Sequence, residues 1–154
     1  MLESHVFDIT RVIQLAVAPV FLLTAIGTFI NALAGRLARA IDRRRVLDDI
    51  LPMQEGDVRD EMLSELGILA RRIRLVLWAM GLAVFSAVLV CLLIGTAFIG
   101  AFIALDLSRP VALLFVAAVL ALTGGLVLFM REVFLAALSV QHLVRGQPPR
   151  VERK

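Results

Sequence analysis

Few side chains in this sequence could do chemistry, and they gather in three places. Gln14, Thr24, Thr28 and Asn31 interrupt an otherwise apolar stretch. Glu132 ends another apolar stretch beside Arg131, and Arg36, Arg39, Asp42 and Arg43 open a charged segment. Amides and hydroxyls inside hydrocarbon either tie helices together or line a wet path. A carboxylate at the edge of an apolar run either bridges to a cation or holds a proton or cation itself. Catalytic patterns are missing. There is no glycine-rich phosphate loop, no Ser-His-Asp candidate and no His-Glu-x-x-His sequence. Asp48-Asp49 and Asp60-Glu61 are paired carboxylates, but a charged surrounding suits them to solvation and capping rather than acid–base work. His5 and His142 fall on opposite membrane faces and Cys91 lies in an apolar run, so no metal site with a recognised spacing is expected. The reading is of a chain with no cofactor and no enzyme activity.

The elements that must hold these groups are apolar helices. The 154 residues are 60% hydrophobic and 19% charged, and mean hydropathy is +0.93. Soluble domains hold about 45–50% apolar residues and about 25% charged ones. A soluble enzyme, a disordered tail and a disulfide scaffold are therefore excluded, the last because Cys91 has no second cysteine to pair with. The excess sits in three charge-free runs, Val12–Gly35, Leu75–Leu105 and Val111–Met130. A helix crosses the hydrocarbon core in about 20 residues. The fold class is thus all-α, with three transmembrane helices near 12–35, 75–103 and 111–130 in one membrane domain over 1–154. The second run exceeds what is needed, which predicts tilt or an interfacial turn near Gly100. Met1–Thr10 is polar and acidic, unlike a cleaved leader.

Basic residues give the orientation. Residues 36–74 carry nine arginines and residues 131–154 carry five basic residues, against Arg11 and Arg109 on the other side. The positive-inside rule then places the N-terminus outside and residues 36–74 and 131–154 in the cytoplasm. The formal charge of +3 describes one membrane face, and the basic segments lack the interleaved aromatics of a nucleic-acid surface.

Residues 36–74 read as a cytoplasmic antiparallel helical hairpin. Leu37, Ile41 and Leu47 continue the helical period of the first span, Pro52 and Gly56 break it, and Asp57 is the expected N-cap of the returning arm. Asp60 and Glu61 fall in that arm's first turn, and Met62, Leu66 and Leu69 form its apolar side. A turn near Met53-Gln54 sets Asp48 opposite Arg59 and Arg43 opposite Glu65. The hairpin serves as a solvated link between spans or as a docking element for a cytoplasmic protein. Arg43–Arg45 could in either case meet anionic lipid headgroups.

In the first span Thr10, Gln14, Val17, Phe21, Thr24, Thr28, Asn31, Gly35, Ala38 and Asp42 alternate by four and three residues, which keeps them on one helix face. Polar groups avoid lipid, so this seam is expected to look toward protein or water. Pro19 withholds a donor from Leu15 and should kink the helix. Two uses compete. The seam bonds across to the other spans, or several copies of the first span line a pore with Thr28 and Asn31 as polar rings. The pore requires a homo-oligomer, because three helices enclose no useful channel.

The segment Asn31-Ala-Leu-Ala-Gly-Arg36-Leu-Ala-Arg39-Ala-Ile-Asp42-Arg43-Arg44-Arg45, preceded by Ala18-Pro19 and Leu22-Leu23, resembles the opening helix of an uncharacterised family of small bacterial membrane proteins. The spacing of the spans and Arg131-Glu132 extend the resemblance over most of the chain. It implies a multi-pass protein of the bacterial inner membrane and brings no activity or ligand.

Small residues in the later spans predict close helix packing. They include Ala83 with Ala87, Thr96 with Gly100, and the series Ala117, Ala121 and Gly125. Glu132 follows that last series on the face of Ala121, Gly125, Leu128, Ala136 and Ser139. It should therefore meet Arg36 or Arg39 at the cytoplasmic edge. A helix over Val133–Val144 and an end at Gly146 and Pro148-Pro149 complete the reading. Two functions remain open: an oligomeric ion-conducting pore lined by the first span, or a non-catalytic scaffold whose hairpin docks a partner.

Overall fold

Apolar residues spaced by sevens dictate three long helices, and a computed structural model of the chain shows them. α1 spans Leu2–Ile50, α2 Asp57–Ile103 and α3 Ser108–Arg145, with a short 3-10 turn over Leu51–Met53 between the first two. The structure describes residues 2–103 and 106–145, and the side chains of 17–103 and 106–136.

Each helix buries one heptad stripe. On α1 the buried positions are Pro19, Ile26, Leu33, Ala40 and Leu47, each seven residues after the last. On α2 they are Leu69, Val76, Ala83 and Val90, with Ala79, Ser86 and Leu93 each three residues after one of them. On α3 they are Ala118, Gly125 and Glu132. A strict seven-residue repeat keeps one seam facing its partners along the length of a helix. The stripes interlock in layers: Ile26, Ala83, Val90 and Ala118; then Leu33, Val76 and Ala79; then Ala40, Leu47 and Leu69. The last layer lies in the hairpin, where Met62, Leu66 and Ile73 close around it.

All three helices are long and apolar enough to cross a membrane. Their outer faces carry Phe21, Trp78, Phe102, Leu113 and Leu120, each more than 60% exposed, an exterior matched to hydrocarbon. α1 runs uninterrupted through Pro19, whose ring is buried, and α2 runs through Gly100 without an interfacial turn. The remainder of the second run, at residues 104–105, and the end expected at Gly146 and Pro148-Pro149 lie outside the described residues.

Small residues permit the close approach. A Cβ at Gly125 would stand 3.1 Å from the Ala79 carbonyl oxygen and 3.6 Å from the Phe29 ring. The buried Ser86 hydroxyl donates to the Ala118 carbonyl at 2.7 Å, tying α2 to α3. Of the expected series Gly125 is buried and Ala121 half-buried, but Ala118 rather than Ala117 fills the first position, Ala117 being exposed. At the hairpin turn Gly56 takes φ +64°, and its carbonyl accepts from the Arg59 and Asp60 amides. Gly56 is thus the cap and Asp57 the first helical residue, one position earlier than the sequence suggests. Before α3 the Ser108 hydroxyl and amide both donate to Asp106, which holds that carboxyl below its ordinary value.

Candidate functional site

Two groups of polar side chains stand out, and they occupy opposite faces of α1. The inward group is built around Glu132, which is 2% exposed. Arg72 Nε and Nη2 donate to its Oε1 at 3.1 and 2.9 Å. Arg36 Nε lies 2.9 Å from Oε2, out of line for a hydrogen bond, so that contact is ionic alone. The Arg36 guanidinium also sits 5.3 Å above the Phe129 ring, which meets Phe29 edge-on at 5.6 Å.

Register puts these charges together. Arg36 lies three residues after Leu33, Arg72 three after Leu69, and Glu132 seven after Gly125, so all three occupy core positions of their heptads. Each also marks the edge of a charge-free run: Arg36 follows the first, Arg72 and Arg74 precede the second, and Arg131-Glu132 follow the third. Three boundaries read separately along the chain thus meet at one level. A carboxylate there without its partners would be a buried, uncompensated charge.

The expected bridge from Glu132 to Arg36 forms. Arg39 is exposed and takes no part, and Arg72 was not foreseen. Its signal was available in the spacing Leu69–Arg72–Val76–Ala79, a heptad core with one arginine in it.

In the hairpin, Arg43 meets Glu65 as expected, through Nε to Oε1 at 2.8 Å and Nη2 to Oε2 at 3.0 Å. That hydrogen-bonded carboxylate raises the Arg43 pKa above its ordinary value. Asp48 turns to Arg44, 3.4 Å away and one turn back, rather than to Arg59. A residue four positions away on the same helix is nearer than one across the turn.

The outward group is the polar seam. Thr24, Thr28 and Asn31 are all exposed, which goes against one of the two expected uses, bonding across to the other helices of their own chain. Thr24 donates to the Val20 carbonyl at 3.3 Å and Thr28 to the Thr24 carbonyl at 3.0 Å. Asn31 makes no hydrogen bond among the described residues. The reason is again register: Thr24, Thr28 and Asn31 stand two residues off Ile26 and Leu33, nearly half a turn around the helix. Arg39 and Asp42 continue this outer face, both exposed and without an ion pair among the described residues. The Gln14 side chain lies outside the described residues.

No three or more His, Cys, Asp or Glu side chains come together among the described residues, and Cys91 is exposed. The arrangement can therefore clamp helices and present amides and hydroxyls outward.

No curated protein and no solved structure matches the chain. A family described as "Protein of unknown function (DUF2721)" matches residues 16–142, which takes in most of each helix, the Glu132 layer and Thr24, Thr28 and Asn31 of the seam, and the chain belongs to that family.

Proposed function

We propose that the chain is a multi-pass protein of the bacterial inner membrane that assembles with copies of itself into a small ion-conducting pore lined by α1. The observation that carries this reading is the outward seam of Thr24, Thr28 and Asn31. Asn31 stands about 7–8 Å along the helix from Arg36, inside the apolar segment. An amide there without partners costs free energy that contact with another copy, or with water in a shared conduit, removes. The space between the chain's own helices is filled by Ile26, Leu33, Val76 and Ala83, so a conduit has to run between copies. Arg39 and Asp42 would ring its mouth, on the cytoplasmic side according to the basic bias of residues 36–74 and 131–154.

Ion flux through purified protein in liposomes tests this. Flux above that of empty liposomes, reduced by Asn31→Leu and by Thr28→Val, is expected. No flux, or flux indifferent to both substitutions, contradicts the pore.

A second reading, a scaffold that docks a cytoplasmic partner, draws support from the hairpin tip. Met53 there is 82% exposed at the end farthest from the apolar segments. Met53→Asp would abolish partner capture while leaving liposome flux unchanged.

A further inference from the structure

The Glu132 layer is short of negative charge. Two guanidinium groups face one carboxylate, so one positive charge is left over in a site where Arg36 is 29% and Arg72 23% exposed. The nearest acids along the chain do not supply the balance: Glu65 is engaged by Arg43, and Asp42 lies on the outer face of α1. Four more arginines stand within three residues of the layer. Arg39, Arg71, Arg74 and Arg131 are all exposed and have no ion pair among the described residues. Six cations against a single acid is a charge distribution that calls for anions from outside the chain.

We infer that this collar binds the phosphate headgroups of anionic phospholipids, with Arg36 and Arg72 contributing the donors that Glu132 leaves unused. Level decides the occupant. The collar sits where all three charge-free runs end, which is where headgroups begin. The headgroup zone is only about 5–8 Å deep on each side. Arg43–Arg45 lie seven to nine residues beyond Arg36, about 10–13 Å farther along the helix, and so pass beneath it. Two of those three are also committed already, Arg43 to Glu65 and Arg44 to Asp48. Trp78, one turn from Arg74 and 65% exposed, adds an interfacial aromatic on the lipid side of the same helix. Arg39 is the one member that the pore would also use, at its mouth; Arg36, Arg71, Arg72, Arg74 and Arg131 depend on neither the pore nor the oligomer.

The test is native mass spectrometry of the full chain released from nanodiscs of phosphatidylcholine, with and without phosphatidylglycerol. Phosphatidylglycerol should be enriched among the retained lipids. Each exposed arginine near the surface contributes about fivefold in affinity. The Arg39→Gln/Arg71→Gln/Arg74→Gln/Arg131→Gln variant should therefore lower the enrichment more than tenfold, and single Arg71→Gln and Arg131→Gln variants should each lower it several-fold should the quadruple variant misfold. Arg43→Gln/Arg45→Gln should leave it unchanged. Equal retention of the two lipids by the parent chain, or enrichment untouched in the collar variants, overturns the inference. So does loss of enrichment in the Arg43/Arg45 variant, or full displacement of the lipid by inorganic phosphate, which would mark a site for a free anion.

Discussion

Arg36 and Arg43 stand seven residues apart on the same side of α1, and each reaches a glutamate on another helix. Glu132 is 2% exposed and shared with Arg72; Glu65 is 41% exposed and, among the described residues, pairs with Arg43 alone. The hairpin pair has the better geometry, two aligned hydrogen bonds between one guanidinium and one carboxylate. It should nevertheless matter less. Water competes for both of its partners, and the cost of losing either is met by solvation. Glu132 is sealed from water and Arg36 and Arg72 are only 29% and 23% exposed, so solvation replaces a lost partner there far less well. Burial, rather than hydrogen-bond count, ranks the two contacts.

The sharpest way to break that ranking is to remove each carboxylate. Glu132→Ala should cost about 3–5 kcal/mol, read as a loss of unfolding free energy in detergent micelles. Charge reversal by Glu132→Arg should be rescued by Arg72→Glu and not by Arg39→Glu, since Arg39 faces away. One heptad from Glu132, Gly125→Ala forces a methyl against the Ala79 carbonyl and should cost about 1–3 kcal/mol by the same assay. Gly95, with open space around its Cβ position, should tolerate alanine or gain from it. Glu65→Gln should cost no more than about 1 kcal/mol, and the difference should fade at high salt.

The smallest effect belongs to Asp106, a carboxylate in the loop before α3. Its pKa is lowered by the Ser108 hydroxyl and amide, so its contribution is present above the ordinary carboxylate value and is lost as pH falls through the lowered one. Asp106→Asn should lower neutral stability by the small amount that the ionised carboxylate contributes, and remove the acid-side decline in an unfolding series measured against pH.

Much of the architecture was legible because charge-free runs of sufficient length form helices long and apolar enough to cross a membrane. Arg43 with Glu65 was legible too, because a turn fixes which residues of a hairpin lie opposite one another. Two things were misjudged, for related reasons. Four-three spacing identifies a stripe but not the direction it faces, and α1 carries two stripes of that period, one through Ile26 and Leu33 and the other through Thr24 and Asn31. Which one turns inward depends on the complementary stripes of α2 and α3. Arg72 was missed because it lies beside Arg71 and Arg74, where charge alone does not separate a core position from a surface one.

Cysteine cross-linking in native membranes tests most directly whether the outer face of α1 meets a second copy. In a Cys91→Ser background, Thr24→Cys, Thr28→Cys and Asn31→Cys should give disulfide-linked dimers on mild oxidation. Ala25→Cys and Ala32→Cys, exposed on another side of the same helix, should stay monomeric. Monomers at all five positions, or dimers that form at Ala25 and Ala32 as readily as at Asn31, would contradict an assembly built on that seam.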